Sequence, residues 1–97
     1  MPAVCRINDL DVPHCSAMKR AIGSGNVFVN GRAVSCQGDT NSPHLIPAGA
    51  KCIIHAAPIT LGSTTVKIGG KGVGRVGDPL TGCTSVATGS TNVFAGG

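Results

Sequence analysis

The sequence predicts an all-β fold: a small three-sided β body built on pseudo-threefold internal repeats. Three observations carry that prediction. Strong helix formers are scarce, since the 97 residues contain no Glu while Gly, Thr, Ser, Val and Ile are plentiful. The chain holds 15 glycines and 6 prolines, a density of backbone breakers that suits short strands joined by tight turns. The third observation is self-similarity. GSGNVFVNGRAVSCQGDTNSPH, starting at Gly23, aligns without a gap on GSTTVKIGGKGVGRVGDPLTGC, starting at Gly62, at an offset of 39.

A partial copy, GSTNVFAGG, starts at Gly89, and AVCRINDLDVPH from Ala3 matches the back half of the first copy at an offset of 30. The chain therefore holds three front halves (Gly23, Gly62, Gly89) and three back halves (Ala3, Ala33, Gly72). Its ends fall in the middle of a unit. Each front half reads as a strand by alternation. Val27 and Val29, Val66 and Ile68, Val93 and Ala95 share one side. Phe28, Lys67 and Phe94 lie on the other, at equivalent outward positions, and form a candidate partner contact. Gly31 and Gly70 fall where a turn needs positive φ. The back halves, Ala33–Asp39 and Gly72–Asp78, read as return strands ending in a Gly-Asp turn.

The candidate chemistry sits in three histidines and one cysteine. His14, His44 and Cys83 each follow a repeated aspartate (Asp9, Asp39, Asp78) by five residues. Threefold-related positions converge on one axis, so these side chains can meet at a point. His55, in KCIIH outside the repeat, caps the triad as fourth ligand, with Cys15 and Cys52 as neighbouring competitors. Imidazoles with a thiolate suit tetrahedral Zn²⁺. Cys5 and Cys36 lie in strand-like segments and read as small buried hydrophobes, outside the site with Cys15 and Cys52.

Other classes are disfavoured. The charge of +4 is spread over scattered basic residues with two Phe and no Trp or Tyr, unlike the clustered, aromatic-interleaved surfaces that bind nucleic acid. Gly72–Gly77 matches GxGxxG literally. Asp78-Pro79 then turns the chain, and no acidic residue follows to hold a ribose. A metal closed in by four protein ligands leaves no position for substrate, which argues against an enzyme. No secretory leader core or transmembrane run is visible, so synthesis in the cytoplasm is expected, where the five cysteines stay reduced. Residues 1–97 read as one domain without an effector extension. A core of small aliphatics at this length is marginal, and a metal staple compensates.

These repeats resemble those of the PAAR family, which tips the spike of type VI secretion systems. Its pattern, GS-x-x-V-x-V-N-G-x-PAAR-x-GD, is close to GSGNVFVNGRAVSCQGD and GSTTVKIGGKGVGRVGD. The tetrapeptide itself is degenerate here: AVCR ends at Arg6, AVSC at Cys36 and GVGR at Arg75. The resemblance implies a conical fold with one structural Zn²⁺ near the vertex, bound by three His and one Cys, matching His14, His44, His55 and Cys83. It also implies a triangular base seated on a trimeric VgrG-type spike, one copy per trimer, with effectors as possible passengers. The target membrane would be contacted only transiently, with delivery outside the cell needing no signal peptide. Two rivals differ in context: a free-standing zinc-binding protein, and a phage-tail membrane-piercing tip.

Overall fold

Asn30-Gly31 and Gly69-Gly70 close two equivalent hairpins. All four residues take positive φ, at 54°, 76°, 58° and 82°, as both central positions of a type I′ turn require. The structure is a computed structural model that describes residues 1–13, 17–48 and 51–96, and of 44–48 and 51–55 the backbone alone. In it these turns join β1 (Phe28–Val29) to β2 (Arg32–Ala33) and β5 (Lys67–Ile68) to β6 (Lys71–Gly72). Between the pairs lie β3 (His44–Ala48) and β4 (Lys51–His55), an antiparallel hairpin. Among the described residues there is no helix, so none is long and apolar enough to cross a membrane.

The third front half has no return strand of its own and pairs with the other end of the chain. Ala3 bridges Phe94, Val4 N donates to Val93 O at 3.0 Å, and Ala95 N donates to Pro2 O at 3.0 Å. One repeat unit is thus assembled from both ends of the sequence, as the count of halves predicts.

The front-half strands are shorter than alternation alone predicts, and the GS block explains why. Ser24 Oγ accepts hydrogen bonds from Asn26 N and Val27 N, and Ser63 and Ser90 repeat this with Thr65 and Val66, and with Asn92 and Val93. Each serine folds the first residues of its segment into a side-chain-capped turn. Two residues remain for the ladder before the next turn. The alternation itself holds: Val29 and Ile68 pack on the cluster of Val4, Val34, Cys36, Val73 and Ala95, while Phe28, Lys67 and Phe94 are exposed.

The expected return strands are likewise cut short, because each back half leaves its hairpin to pair with a neighbouring unit. Arg6 bridges Val34, Cys36 bridges Val73 and Arg75 bridges Val4, a cycle of three equivalent positions. Inside it, Cys5 N donates to Gly74 O (2.9 Å), Gly74 N to Ser35 O (2.9 Å) and Ser35 N to Cys5 O (3.1 Å). These three backbones satisfy one another in a closed ring. Room at its centre is short. A Cβ on Gly74 would lie 2.6 Å from Ile59 Cδ1 and 2.7 Å from both Cys5 Sγ and Ser35 O.

Each back half then turns through its aspartate. Asp9, Asp39 and Asp78 accept, through Oδ2, the backbone N–H of Arg6, Cys36 and Arg75 at 2.7–2.8 Å. The residue before each aspartate has positive φ: Gly38 at 90°, Gly77 at 91° and Asn8 at 69°. Asparagine is among the few side chains that tolerate this region. Beyond the turns a second ring closes. Leu10 bridges Lys19, Thr40 bridges Pro58 and Pro79 bridges Ser85 within units. Between units, Arg20 bridges Asn41, Ile59 bridges Leu80 and Val86 bridges Asp11.

Candidate metal centre

The second ring positions the proposed ligands. Its three within-unit bridges each enclose one loop: that from Leu10 to Lys19 carries His14, that from Thr40 to Pro58 carries His44 and His55, and that from Pro79 to Ser85 carries Cys83. The three are repeat-equivalent and rise from the same ring.

Hydrogen bonds tie neighbouring loops together. Val12 N donates to Ser85 O at 2.8 Å, and Thr84 Oγ1 donates to Val12 O at 2.6 Å, so the chain approaching His14 runs beside the chain leaving Cys83. Ser42 N donates to Lys19 O at 2.7 Å, joining the first and second loops. Thr81 N donates to Pro58 O at 3.0 Å, joining the second and third.

His14 itself lies outside the described residues, with Cys15. His44 and His55 begin β3 and end β4, where they are register partners. Residues directly opposite in an antiparallel pair have Cα atoms about 4.5–5.5 Å apart. The backbone thus places the two histidines opposite each other at the root of the hairpin, where it joins the ring. Cys83 is half-buried against Cys5, Ala57, Ile59, Leu80 and Val86. A tight turn sets it there, with Gly82 at φ 63° and Cys83 N donating to Leu80 O at 3.0 Å. Among the described residues no three His, Cys, Asp or Glu side chains converge on one point; of the four proposed ligands, Cys83 alone has its side chain among them. Three imidazoles and a thiolate are a donor set that fits tetrahedral zinc.

The other described thiols are unsuited to ligation. Burial pushes the Cys5 thiol up to about 12, and its Sγ lies 3.7 Å from Ser35 O at the first ring. Burial, followed by the Asp39 charge, also raises Cys36. Both stay protonated thiols. Gly72–Gly77 runs from β6 through the first ring into an aspartate turn, with no helix after it, so it is no dinucleotide loop.

A buried polar group under the loops escapes sequence reasoning. Arg20 and Asp11, both without solvent exposure at their side chains, approach to 3.4 Å (Nε to Oδ2). Asn41 Nδ2 donates to Asp11 Oδ2 at 2.9 Å, and Asn41 Oδ1 accepts from Ala57 N at 2.8 Å. Asp11, Asn41 and Leu80 are repeat-equivalent, as are Arg20, Ile59 and Val86, so the arginine stands where the other two units carry buried aliphatics. The available signal was Arg20, at a ring position whose two equivalents, Ile59 and Val86, are hydrophobic, with Asp11 at one whose equivalents are Asn41 and Leu80.

A family model described as the PAAR motif matches residues 49–97, just over half of the chain. The matched part includes His55, Cys83 and the second and third front halves. No curated protein matches the chain.

Proposed function

The chain belongs to the PAAR-motif family, and from that premise we propose that it is a structural tip for the trimeric VgrG-type spike of a type VI secretion system. Its body would taper to a vertex where His14, His44, His55 and Cys83 hold one Zn²⁺, and the opposite end would seat on the spike. The observation that carries this reading is the pair of closed rings. Three units of one chain pair head to tail in a cycle, twice over. A single chain with threefold pseudo-symmetry can match a partner with true threefold symmetry.

The long, narrow outline, 40 × 23 × 22 Å, suits a point better than a storage protein. A zinc ion would supply positive charge and fixed bond directions, tying together three loops that have little core of their own. The role is mechanical and no catalytic step is assigned. Effectors, where present, would ride on the same assembly, and the protein would leave the cell with the spike.

Mixing the protein with the trimeric spike of its own secretion system and measuring the mass of the complex tests the reading. One copy per three spike chains is expected. Three copies per trimer, or hydrogen-exchange protection centred on the loops of His44, His55 and Cys83, would overturn it.

A further inference from the structure

Each repeat-equivalent ligand position has an anchor three residues before it in the second ring. Asp11 precedes His14, Asn41 precedes His44 and Leu80 precedes Cys83. The three anchors are all buried, at 2%, 1% and 4% exposure. Three residues of chain span about 10 Å at most, so the place of an anchor limits the place of its ligand.

The anchors are held in two different ways. The cysteine loop is short and closes on its own backbone: Leu80 N donates to Thr84 O and Cys83 N to Leu80 O, each at 3.0 Å. An apolar anchor suffices there, and Leu80 shares a cluster with Ile59 and Val86. The two histidine loops are longer, from Leu10 to Lys19 and from Thr40 to Pro58, and side chains clasp their roots to each other. Asn41 Nδ2 donates to Asp11 Oδ2 at 2.9 Å, anchor to anchor. Ala57, two residues after His55, is gripped from both sides. Its N–H donates to Asn41 Oδ1 at 2.8 Å, while its carbonyl accepts from Asn41 N at 3.1 Å and from Arg20 Nη2 at 3.4 Å. Arg20, at the far end of the first loop, returns to Asp11 through the buried ion pair. Both ends of both histidine loops thus meet in one buried polar cluster.

We propose that Asp11, Arg20 and Asn41 are positioning residues for the ligands His14, His44 and His55, setting the loop roots in place before a metal ion arrives. The proposal rests on the metal reading and adds the residues that prepare the site. Apolar side chains hold the other ring junctions together, as Leu80, Ile59 and Val86 show at the equivalent positions. Metal–ligand distances tolerate only about 0.2 Å of error, and apolar contacts slide more easily than that. Hydrogen bonds in a buried network have fixed directions and hold a single arrangement. Loss of polar support around metal ligands typically costs about 10–100-fold in metal affinity.

Three measurements test the clasp: zinc affinity by competition with a chromophoric chelator, the visible spectrum of the Co²⁺-loaded protein, and thermal melts of the metal-free protein. Asp11→Leu with Arg20→Ile removes the links to Asp11 and Arg20 while leaving apolar residues in their place. It should bind zinc at least tenfold more weakly and lose intensity in the bands of tetrahedral Co²⁺. Asn41→Ala, which cuts the direct link between the loops, should do the same and carries the test where the double variant does not fold. Val34→Ala, in the apolar cluster at the first ring, should lower the melting temperature and keep both the affinity and the spectrum. In the metal-free wild type, the amides of Asn41 and Ala57 should stay protected from hydrogen exchange.

Wild-type affinity and spectrum in either folded clasp variant would overturn the positioning role and leave the metal site standing. So would loss of affinity in Val34→Ala as large as theirs, because affinity would then follow general stability. Rapid exchange of the Asn41 and Ala57 amides without metal would also overturn it, with no variant needed. A wild type that binds no zinc would overturn the metal site, and the positioning role with it.

Discussion

Arg20 and Asp11 form an ion pair from which water is excluded, with Nε 3.4 Å from Oδ2 and no solvent exposure of either side chain. The pair spans the second ring, one position beyond the bridge that encloses the His14 loop. Arg20 Nη2 reaches Ala57 O at 3.4 Å, and Arg20 Nη1 has no hydrogen-bond partner among the described residues. A buried pair contributes little net stability, yet leaving one charge alone is costly.

Removing one partner should therefore be far worse than removing both. Arg20→Met or Asp11→Ala alone should cost about 3–5 kcal/mol. The double variant Asp11→Leu with Arg20→Ile copies residues that occupy the equivalent positions, Leu80 and Ile59, and should recover most of that loss. Urea denaturation of the four species gives the coupling energy. Additive losses in the double variant would contradict the account.

Gly74 offers a sharper test of the first ring. A methyl there would meet Ser35 O at 2.7 Å and Cys5 Sγ at the same distance, and backbone in a closed cycle has nowhere to retreat. Gly74→Ala should cost about 3 kcal/mol, at the upper end of ordinary overpacking, and lower the melting temperature accordingly. Gly25→Ala is the control, since a Cβ there meets nothing within 4 Å and its φ is not positive. That change should be neutral or slightly stabilising.

Much of this architecture was legible in the repeats. The offsets of 39 and 30 residues predict three equivalent units with one assembled from both chain ends, and the Ala3–Phe94 bridge realises it. What stayed hidden was lateral. Alternation along Asn26–Val29 cannot reveal that Ser24 diverts the backbone into a capped turn, nor that Ala33–Asp39 pairs with two other units after two residues. The longest strands, β3 and β4, lie beyond the first repeat block, where repeat spacing carries no signal, and Pro47 inside β3 removes a ladder donor. Their pairing sets His44 opposite His55, a relation that repeat spacing does not contain because His55 lies outside the repeat. Of the candidate site, the repeat spacing led to the loops but not to Arg20 and Asp11 beneath them.

Acid should unfold the protein partly through Asp9. Burial works against its carboxylate, but the hydrogen bonds from the Arg6 side chain and backbone, with the charge of Arg32, outweigh it and hold the group below its ordinary value. Arg6 Nε and Arg32 Nη2 lie 2.9 and 2.7 Å away. A depressed carboxylate contributes stability above its unfolded value, about 3.9, and loses it as pH falls through the folded value. Asp9→Asn should thus be less stable at pH 7 and show a flatter stability curve below about pH 4. Thermal melts from pH 2 to 7 measure both. A variant whose acid limb is as steep as that of the wild type would rule out this contribution.

The metal reading makes the widest prediction, because it ties the three loops to the stability of the whole chain. Native mass spectrometry of the protein purified without added metal should show one Zn²⁺ per chain. Metal bound by the fold and not by the unfolded chain converts binding free energy into folding free energy. Stripping it with a strong chelator at neutral pH should therefore lower the melting temperature by about 10–20 °C, corresponding to a loss on the order of 3 kcal/mol for a domain of this size. Cys83→Ala and His44→Ala should each reproduce that drop and lose the bound mass of the ion. Cys36→Ala should keep the ion, since Cys36 is buried in the apolar cluster at the first ring. The joint pattern separates ligation from packing: Cys83 also packs against the cluster of Cys5, Ala57, Ile59, Leu80 and Val86, so Cys83→Ala alone would destabilise by repacking. His44→Ala removes a proposed ligand from a different loop, and the two variants are read together. Two variants that lose stability and keep zinc, or a wild type that melts unchanged after chelation, would remove the metal from this end of the protein.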